Sequence, residues 1–410
     1  MPASTPALPH NAPPVAVRFA LGVLLTAAAV FLGYKAWDVN ITMSCWKDEW
    51  PHLAVCEDIM GRTPAEKIEK LRTRLAENPG DSQALVDLAV WAYSPEGAAA
   101  QLDTAALLSA AIKAAPQNAQ VLRMQVYEAL TRQQGSQALD PLIRLSRYHG
   151  DATATQQLAA LMAQAGTDPT LMAALMAALQ PDGGWFERVA RAMPGAKIPI
   201  STALPLITQL MESKQLTPAL GQYLMGRLKQ EGRWVEAYRI WRHLWNRPLD
   251  WLFNGDFETA FVRGGFDWEV NGPNDHRSGA RIDLVGRKDH GQVLQVVFNG
   301  KAIQSPMLRQ DLMLPPGAYK LQGAAQSTTL RSEKGLAWVV TCAQDGRELG
   351  RSGAIGATGR AWANWETAFN MPADCPGFGA RLTLQTFAPY ESKTGQQGEI
   401  LFDALILQRE

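Results

Sequence analysis

The chain lacks any excess of charge, which narrows the classes of partner open to it. Its 410 residues include 39 basic and 39 acidic side chains, so the formal net charge is zero, and charged residues make up only 19%. The basic residues form no stripe that would neutralise phosphates, so we predict no nucleic-acid partner. Hydrophobic residues make up 47% of the chain, a composition that favours packed helices over disorder.

The common catalytic signatures are also missing. The sequence contains no GxSxG, Walker loop, GxGxxG or HExxH motif, so the mechanisms that depend on those motifs are unsupported. A glycosidase needs only two carboxylates at a set separation, which a sequence does not reveal. We therefore predict that the protein is not an enzyme, and a glycan-processing enzyme is the weaker alternative.

One long apolar run lies near the N-terminus. Residues 15–34 carry a single charge, Arg18, close to the edge of the run, where a long side chain reaches lipid headgroups. This pattern predicts a short cytoplasmic tail at 1–14 and a transmembrane anchor at 15–36. The protein would then be a single-pass protein of the bacterial inner membrane, with its soluble domains in the periplasm. A cleaved signal peptide is the alternative, because TAAAV resembles a cleavage site.

Cysteine is scarce, and its distribution indicates the compartment. One close pair follows the apolar run and a second pair lies near the C-terminus. An even number divided in this way predicts the disulfides Cys45–Cys56 and Cys342–Cys375 and an oxidising compartment such as the periplasm. Four unrelated thiols in a cytosolic protein are the alternative. With no CxxC motif and scattered histidines, a zinc site has little support.

Helical signals fill residues 63–247, after a disulfide-containing linker at 37–62. Thr63, Pro64 and Glu66 are typical of a helix start, with a cap, a proline at the first position and an acid three residues after the cap. The segment from Pro79 aligns with the segment from Pro116 at an offset of 37 residues, close to the period of helical-hairpin repeats. With GRWVEA at 232–237, these segments resemble tetratricopeptide repeats, which implies an α-solenoid.

Residues 248–410 change to the pattern of antiparallel strands. Apolar residues alternate with other residues, as in Leu294, Val296 and Phe298, between turns rich in Gly, Pro, Asn and Asp. About eight such runs predict a C-terminal β-sandwich of the jelly-roll type. The fold class expected is therefore multidomain, with helices followed by a β-sandwich.

Four phrases of the C-terminal region together resemble one family. NGDFE at 254–258, GFDWEV at 265–270, PPGAYKLQGAAQS at 315–327 and GEILFDAL at 398–405 are similar, in this order, to the galactose-binding-like jelly rolls of carbohydrate-binding modules. The whole layout resembles membrane-anchored proteins of bacterial exopolysaccharide and O-antigen systems. The resemblance implies that the sandwich binds polysaccharide while the helices bind a protein partner of an export or polymerisation machinery. An assembly scaffold that binds no glycan is the alternative.

Aromatic side chains are the first candidates for glycan contact, because sugars present flat faces of C–H bonds on which rings stack. The candidates are Trp362 and Trp365 in GRAWANWE, Tyr390 in the loop APYESKTGQQG, and Trp268. Trp338 shares its strand face with Val340 and Cys342, so it is predicted to be core. Trp268 alternates in phase with Phe266 and Val270, so a core position is its alternative.

The same resemblance implies a structural calcium site. Glu258 and Asp403 match the early glutamate and the late aspartate that hold calcium in these modules. Backbone carbonyls would have to complete the oxygen shell. The alternative is that Asp403 only accepts hydrogen bonds near the end of a strand.

Overall fold

The computed structural model describes residues 29–33, 35–36, 44–45, 56, 59–180, 182–247, 249–262, 264–272 and 277–410. The chain divides into two compact units, residues 1–132 and residues 133–410. The predicted order is confirmed, because helices are followed by a C-terminal sandwich of two antiparallel sheets.

Helices form the described part of the first unit from residue 63 onwards. They are α1 (Pro64–Glu77), α2 (Ser82–Ala92), α3 (Pro95–Ala99), α4 (Thr104–Ala114) and α5 (Ala119–Thr131). Helix α1 begins as predicted, since Thr63 and Glu66 form a reciprocal capping box. The starts of α2 and α5 keep the 37-residue offset, and Asp81 and Asn118 cap them. The assignment of these helices to tetratricopeptide repeats stays a prediction.

The second unit begins with further helices. They are α6 (Gly135–Tyr148), α7 (Ala152–Ala165), α8 (Pro169–Leu179), α9 (Gly184–Ala192), a 3-10 turn (Ile200–Ala203), α10 (Leu204–Glu212), α11 (Pro218–Gln230) and α12 (Trp234–Trp245). Each α-helix from α6 to α12 buries apolar residues along one face, as amphipathic helices do.

Two five-stranded sheets form the sandwich. The strands are β1 (Glu269–Val270), β2 (Ala280–Arg287), β3 (Gly291–Asn299), β4 (Leu308–Met313), β5 (Gly317–Gln326), β6 (Leu336–Cys342), β7 (Glu348–Arg351), β8 (Ala363–Met371), β9 (Gly379–Thr386) and β10 (Gln397–Arg409). Sheet A has the order β1-β4-β9-β6-β7 and sheet B the order β2-β3-β10-β5-β8. A short helix, α13 (Glu391–Thr394), precedes β10.

The core lies between the two sheets and follows the alternation read from the sequence. Leu294, Val296 and Phe298 of β3 are buried there, and Trp338 has no exposed surface, as predicted. Cys342 at the end of β6 is bonded to Cys375, which precedes β9. Cys45 is bonded to Cys56, so both predicted disulfides are confirmed.

The inner-membrane localisation predicted from a transmembrane anchor at residues 15–36 is wrong. No helix in the described part of the chain has the length and hydropathy needed to cross a membrane. Most of the predicted anchor, together with the tail at 1–14, lies outside the described residues.

Helices α11 and α12 pack against sheet A within the second unit. The Lys229 Nζ atom lies 2.9 Å from Oδ2 of Asp311 on β4, and Arg381 of β9 donates to the other oxygen of that carboxylate at 2.8 Å. Trp234 lies against Gly379, where a Cβ atom would come within 2.2 Å of the indole ring. A glycine is therefore required for this close approach of helix and strand.

Candidate functional site

An open groove lies on the outer face of sheet B. It has a volume of about 370 Å³ and is lined by Gln322, Gly323, Ala324, Asn364, Trp365, Glu366, Ala404 and Ile406. The residues come from β5, β8 and β10, which are neighbours in the sheet. The groove is therefore built on regular strands, whose side chains are held in place better than those of a loop.

Strand alternation explains why polar side chains face this groove. Tyr319 and Leu321 of β5 point into the core, so Gln322 and Ala324 in the opposite phase point outwards. Ala324 is paired with Asn364 of β8, and Gln322 is paired with Glu366. Directly paired residues share a face of the sheet, so these four side chains form two adjacent rows.

The groove combines two amides, one acid and apolar surface. Gln322 and Asn364 each carry both donors and acceptors, which suits ligands that are rich in hydroxyl groups. The carboxylate of Glu366 lies 2.6 Å from Nζ of Lys320, so its charge is paired. Ile406, with 42% of its surface exposed, supplies an apolar contact beside them. The arrangement favours an uncharged polyol over an anion.

Trp365 is the one predicted aromatic residue that lines the groove. Its ring lies parallel to the buried ring of Trp338, with centroids 6.3 Å apart and an interplanar angle of 13°. A Cβ atom at Gly323 would lie 2.8 Å from this indole, so the glycine allows the ring to lie against β5. Trp365 is half-buried and is paired with Gly323, in opposite phase to Asn364 and Glu366, so its ring packs on the core side of the strand beneath the groove.

Trp362 lies beside a histidine that sequence reasoning did not select. The ring of Trp362 is 4.4 Å from the ring of His290, centroid to centroid, at an angle of 32°. His290 belongs to the turn between β2 and β3, and its Nδ1 atom lies 2.9 Å from Oδ2 of Asp403 on β10. The structure thus brings together Trp362 with Asp403, which had been assigned to different sites.

Tyr390 is exposed but bonded to an acid of a neighbouring loop. It has 47% of its surface exposed, and its hydroxyl donates to Oε2 of Glu333 at 2.6 Å. This hydrogen bond raises the pKa of Tyr390 to about 12. The structure shows no contact that joins Tyr390 to the groove lining among the described residues.

Trp268 lies in the core. It has no exposed surface, its Nε1 atom donates to the Asn254 carbonyl at 2.9 Å, and its ring contacts those of Phe257 and Trp338. A ring without exposed surface has none to offer a sugar, so the prediction of Trp268 as a glycan contact is wrong and its alternative, a core position, is the observed one.

The two carboxylates assigned to calcium both contact the β2–β3 hairpin. Oε1 of Glu258 accepts a bond from the Gln292 backbone at 3.1 Å. Asp403 is buried, and its oxygens accept from Ala404 N–H at 2.7 Å and contact His290. Because a carboxylate offers about four lone-pair positions, these bonds leave acceptor sites on Asp403.

Glu258 and Asp403 alone do not complete the coordination shell of a calcium ion. Among the described residues, no group of three or more histidine, cysteine, aspartate or glutamate side chains is placed to hold a metal ion. Calcium takes six to eight oxygens, so Glu258 and Asp403 would hold it only together with backbone carbonyls. The calcium site stays a prediction.

Comparisons with known proteins concern the sandwich alone. No protein-family model matches the chain, and no curated protein does. A solved structure of CBM4 is similar over 39% of this chain and 99% of its own, at 14% identity and a TM-score of 0.30. TmCBM61 in complex with β-1,4-galactotriose is similar over 40% of this chain and 100% of its own, at 20% identity and a TM-score of 0.27.

A third similar structure is the CBM22-1 xylan-binding domain from Paenibacillus barcinonensis Xyn10C. It covers 38% of this chain and 91% of its own length, at 14% identity and a TM-score of 0.27. At these identities and TM-scores the likeness carries no argument about the ligand, which has to come from the groove itself.

Proposed function

We propose that the C-terminal sandwich is a non-catalytic carbohydrate-binding module that holds a neutral polysaccharide in the groove of sheet B. The observation that carries this proposal is the outward pair of amides, Gln322 and Asn364, beside the apolar Ile406 in an open groove. Amides hydrogen-bond hydroxyls in either direction, and apolar side chains contact the C–H faces of sugars. The order of the four phrases that resemble carbohydrate-binding modules supports the same function.

Charge at the groove favours a neutral glycan. The lining residues, all of which lie in the described part of the chain, include no lysine or arginine, and Lys320 of β5 is paired with Glu366. A uronic-acid polymer would place carboxylates beside Glu366 without a cation to pair them, which is unfavourable.

The second part of the proposed function concerns the helices. They bind a protein partner of a polysaccharide export or polymerisation machinery, as the resemblance to tetratricopeptide repeats implies. The two disulfides favour an oxidising compartment, extracellular or periplasmic. The sandwich would then link that machinery to its glycan.

Binding of the full chain to soluble polysaccharides tests the glycan half. We expect retardation in gels that contain galactan, xylan or β-glucan, and none in gels that contain polygalacturonate. Replacing Gln322 and Asn364 by Ala together should weaken binding roughly tenfold or more, because each lost hydrogen bond contributes about 0.5–1.5 kcal/mol. Gln164→Ala, an exposed amide on α7, is the matched control and should bind as the parent does.

The outcomes separate the alternatives. If the chain binds none of these polymers, the sandwich is an assembly scaffold and the proposal is wrong. If a bound polymer is shortened during incubation, the protein is a glycan-processing enzyme and not a binding module. If polygalacturonate binds best, the charge argument at Glu366 fails.

A further inference from the structure

A histidine lies at one end of the groove that the proposed function does not use. Asp403 is paired with Ala324 of β5, and Ala324 is paired with Asn364 of β8. Phe402 points into the core, so Asp403 points to the outer face, as Ala324 and Asn364 do. His290 contacts Asp403 and therefore lies at the row of residues that bounds the groove on this side.

The histidine ring is held from two sides. The buried carboxylate of Asp403 lies 2.9 Å from Nδ1, and the Trp362 ring lies against the imidazole with centroids 4.4 Å apart. Because the carboxylate accepts hydrogen bonds, Nδ1–H is the donor in this pair. A fixed carboxylate and a contacting indole ring leave the imidazole little freedom to rotate, which lowers the entropy it would lose on binding a ligand.

The remaining nitrogen is available to a ligand. The His290 side chain is 35% exposed. Among the residues that the structure describes, none donates to or accepts from its Nε2 atom. A sugar hydroxyl both donates and accepts, so it can bond Nε2 whether or not that atom carries a proton.

We infer that His290 and Trp362 form a sugar-contacting subsite at this end of the groove. Nε2 of His290 bonds one hydroxyl of a neutral sugar unit, and the exposed part of the Trp362 ring contacts its C–H face. Asp403 is a positioning residue that orients the imidazole and does not touch the glycan. This inference rests on the proposed function, because it extends the same groove by one contact pair.

Titration calorimetry of the full chain tests the subsite, with the polysaccharide that the parent binds best among galactan, xylan and β-glucan as the probe. We expect His290→Ala and Trp362→Ala each to weaken binding about tenfold, the size expected for one directed hydrogen bond or one stacked ring. His243→Ala is the matched control, because His243 is an exposed histidine on α12. Its affinity should equal that of the parent.

A second measurement guards against variants that fold poorly. In ¹⁵N–¹H spectra of the unmodified protein, the Nε2 resonance of His290 should shift as the polysaccharide is added, while that of His243 stays in place. An unchanged His290 resonance at saturation, or parental affinity in both variants, overturns the subsite. Failure of the proposed function would look different. In that case the parent itself binds no polysaccharide, so the Gln322 and Asn364 variant shows no loss of affinity.

Discussion

Asp87 on helix α2 is a partly buried carboxylate with an incomplete set of partners. Oδ1 accepts from the Gln83 amide at 2.7 Å, whereas Oδ2 is buried and has no partner among the described residues. Burial raises the pKa of Asp87 from its ordinary 3.8 to about 6. At neutral pH the first unit therefore holds a charge in a position that favours the neutral acid.

Replacing Asp87 by Asn should stabilise the first unit at pH 7. The ionised carboxylate is disfavoured in the folded chain, and its removal should gain about 1–2 kcal/mol after allowance for solvent screening. Because the folded pKa is the higher one, the gain should shrink as the pH falls below 6 and disappear below the ordinary value of 3.8. Urea unfolding of the full chain at pH 7 and pH 4 measures this. Glu77→Gln, an exposed acid of α1, should change neither curve, and an equal gain at both pH values would contradict the explanation.

Glu258 and Asp403 allow the calcium prediction to be tested directly. Calcium added to EDTA-treated protein should raise the melting temperature of the sandwich by several degrees, because a ligand at 100 times its Kd adds about 2.7 kcal/mol. Glu258→Ala should abolish the rise, and Asp256→Ala, an exposed neighbour, should keep it. A melting temperature that ignores calcium would show that Asp403 serves only its bonds to Ala404 and His290.

Individual residues also show where sequence reasoning stops. Alternation assigned Trp338 to the core and gave a core position as the alternative for the glycan candidate Trp268, and both rings are buried. His290 had no such signal, because it lies in a turn and its partner Asp403 is 113 residues away along the chain. Its contact is created by the pairing of β3 with β10, which the sequence does not reveal.

The register of strand β10 is a feature of a whole element that the sequence does not reveal. Phe402 and Leu405 both point into the core although two residues separate them, because the register with β5 shifts between Asp403 and Ile406. Ala404 adopts a left-handed conformation with φ of 52° at this bulge. Strict alternation would have placed Ala404 inwards, and the bulge instead turns it towards the groove.

Helices α11 and α12 are bound to the sandwich by contacts that composition alone does not predict. Lys229 of α11 is buried between Asp311 and the Phe266 ring, whose centroid is 4.1 Å from Nζ. Burial alone would raise the pKa of Asp311, but Lys229 and Arg381 together hold it below its ordinary value. The sequence pattern changes from helix to strand at residue 248. Helices α11 and α12 nevertheless stay packed against the sandwich.

Two fragments test whether helices α11 and α12 stabilise the sandwich. The sequence predicts that residues 248–410 fold alone, and we expect them to give β-type circular dichroism. Residues 216–410 should melt roughly 10 °C higher, because the shorter fragment loses the burial of Trp234 on Gly379, which is comparable to a large core truncation of about 3–5 kcal/mol. Trp234→Ala in the longer fragment should bring its melting temperature close to that of the shorter one. Equal melting temperatures for the two unmodified fragments would mean that α11 and α12 contribute nothing to the sandwich.

At the scale of the whole molecule, composition and pattern predicted the order of the parts. Helices followed by a two-sheet sandwich, and both disulfides, were readable because capping signals, strand alternation and paired cysteines are local features of the chain. The groove was not readable, since it needs three strands that are adjacent in sheet B and separated in sequence. The division into units at residue 132 has no marked signal in the composition either.

The attachment of α11 and α12 to sheet A has a mechanical consequence for the glycan that we propose is held on sheet B. Tension on the polymer would enter through one sheet and leave through the other, across the layer of rings formed by Trp365, Trp338 and Trp268. The component of such a load along the sheet normal acts on apolar contacts between the sheets, whereas the strand hydrogen bonds lie in the sheet plane. Cys342 ends β6 of sheet A, and Cys375 lies in the connection from β8 of sheet B to β9 of sheet A, so their bond fastens that connection to sheet A. The indole layer therefore shares such a load with the chain connections that pass from one sheet to the other.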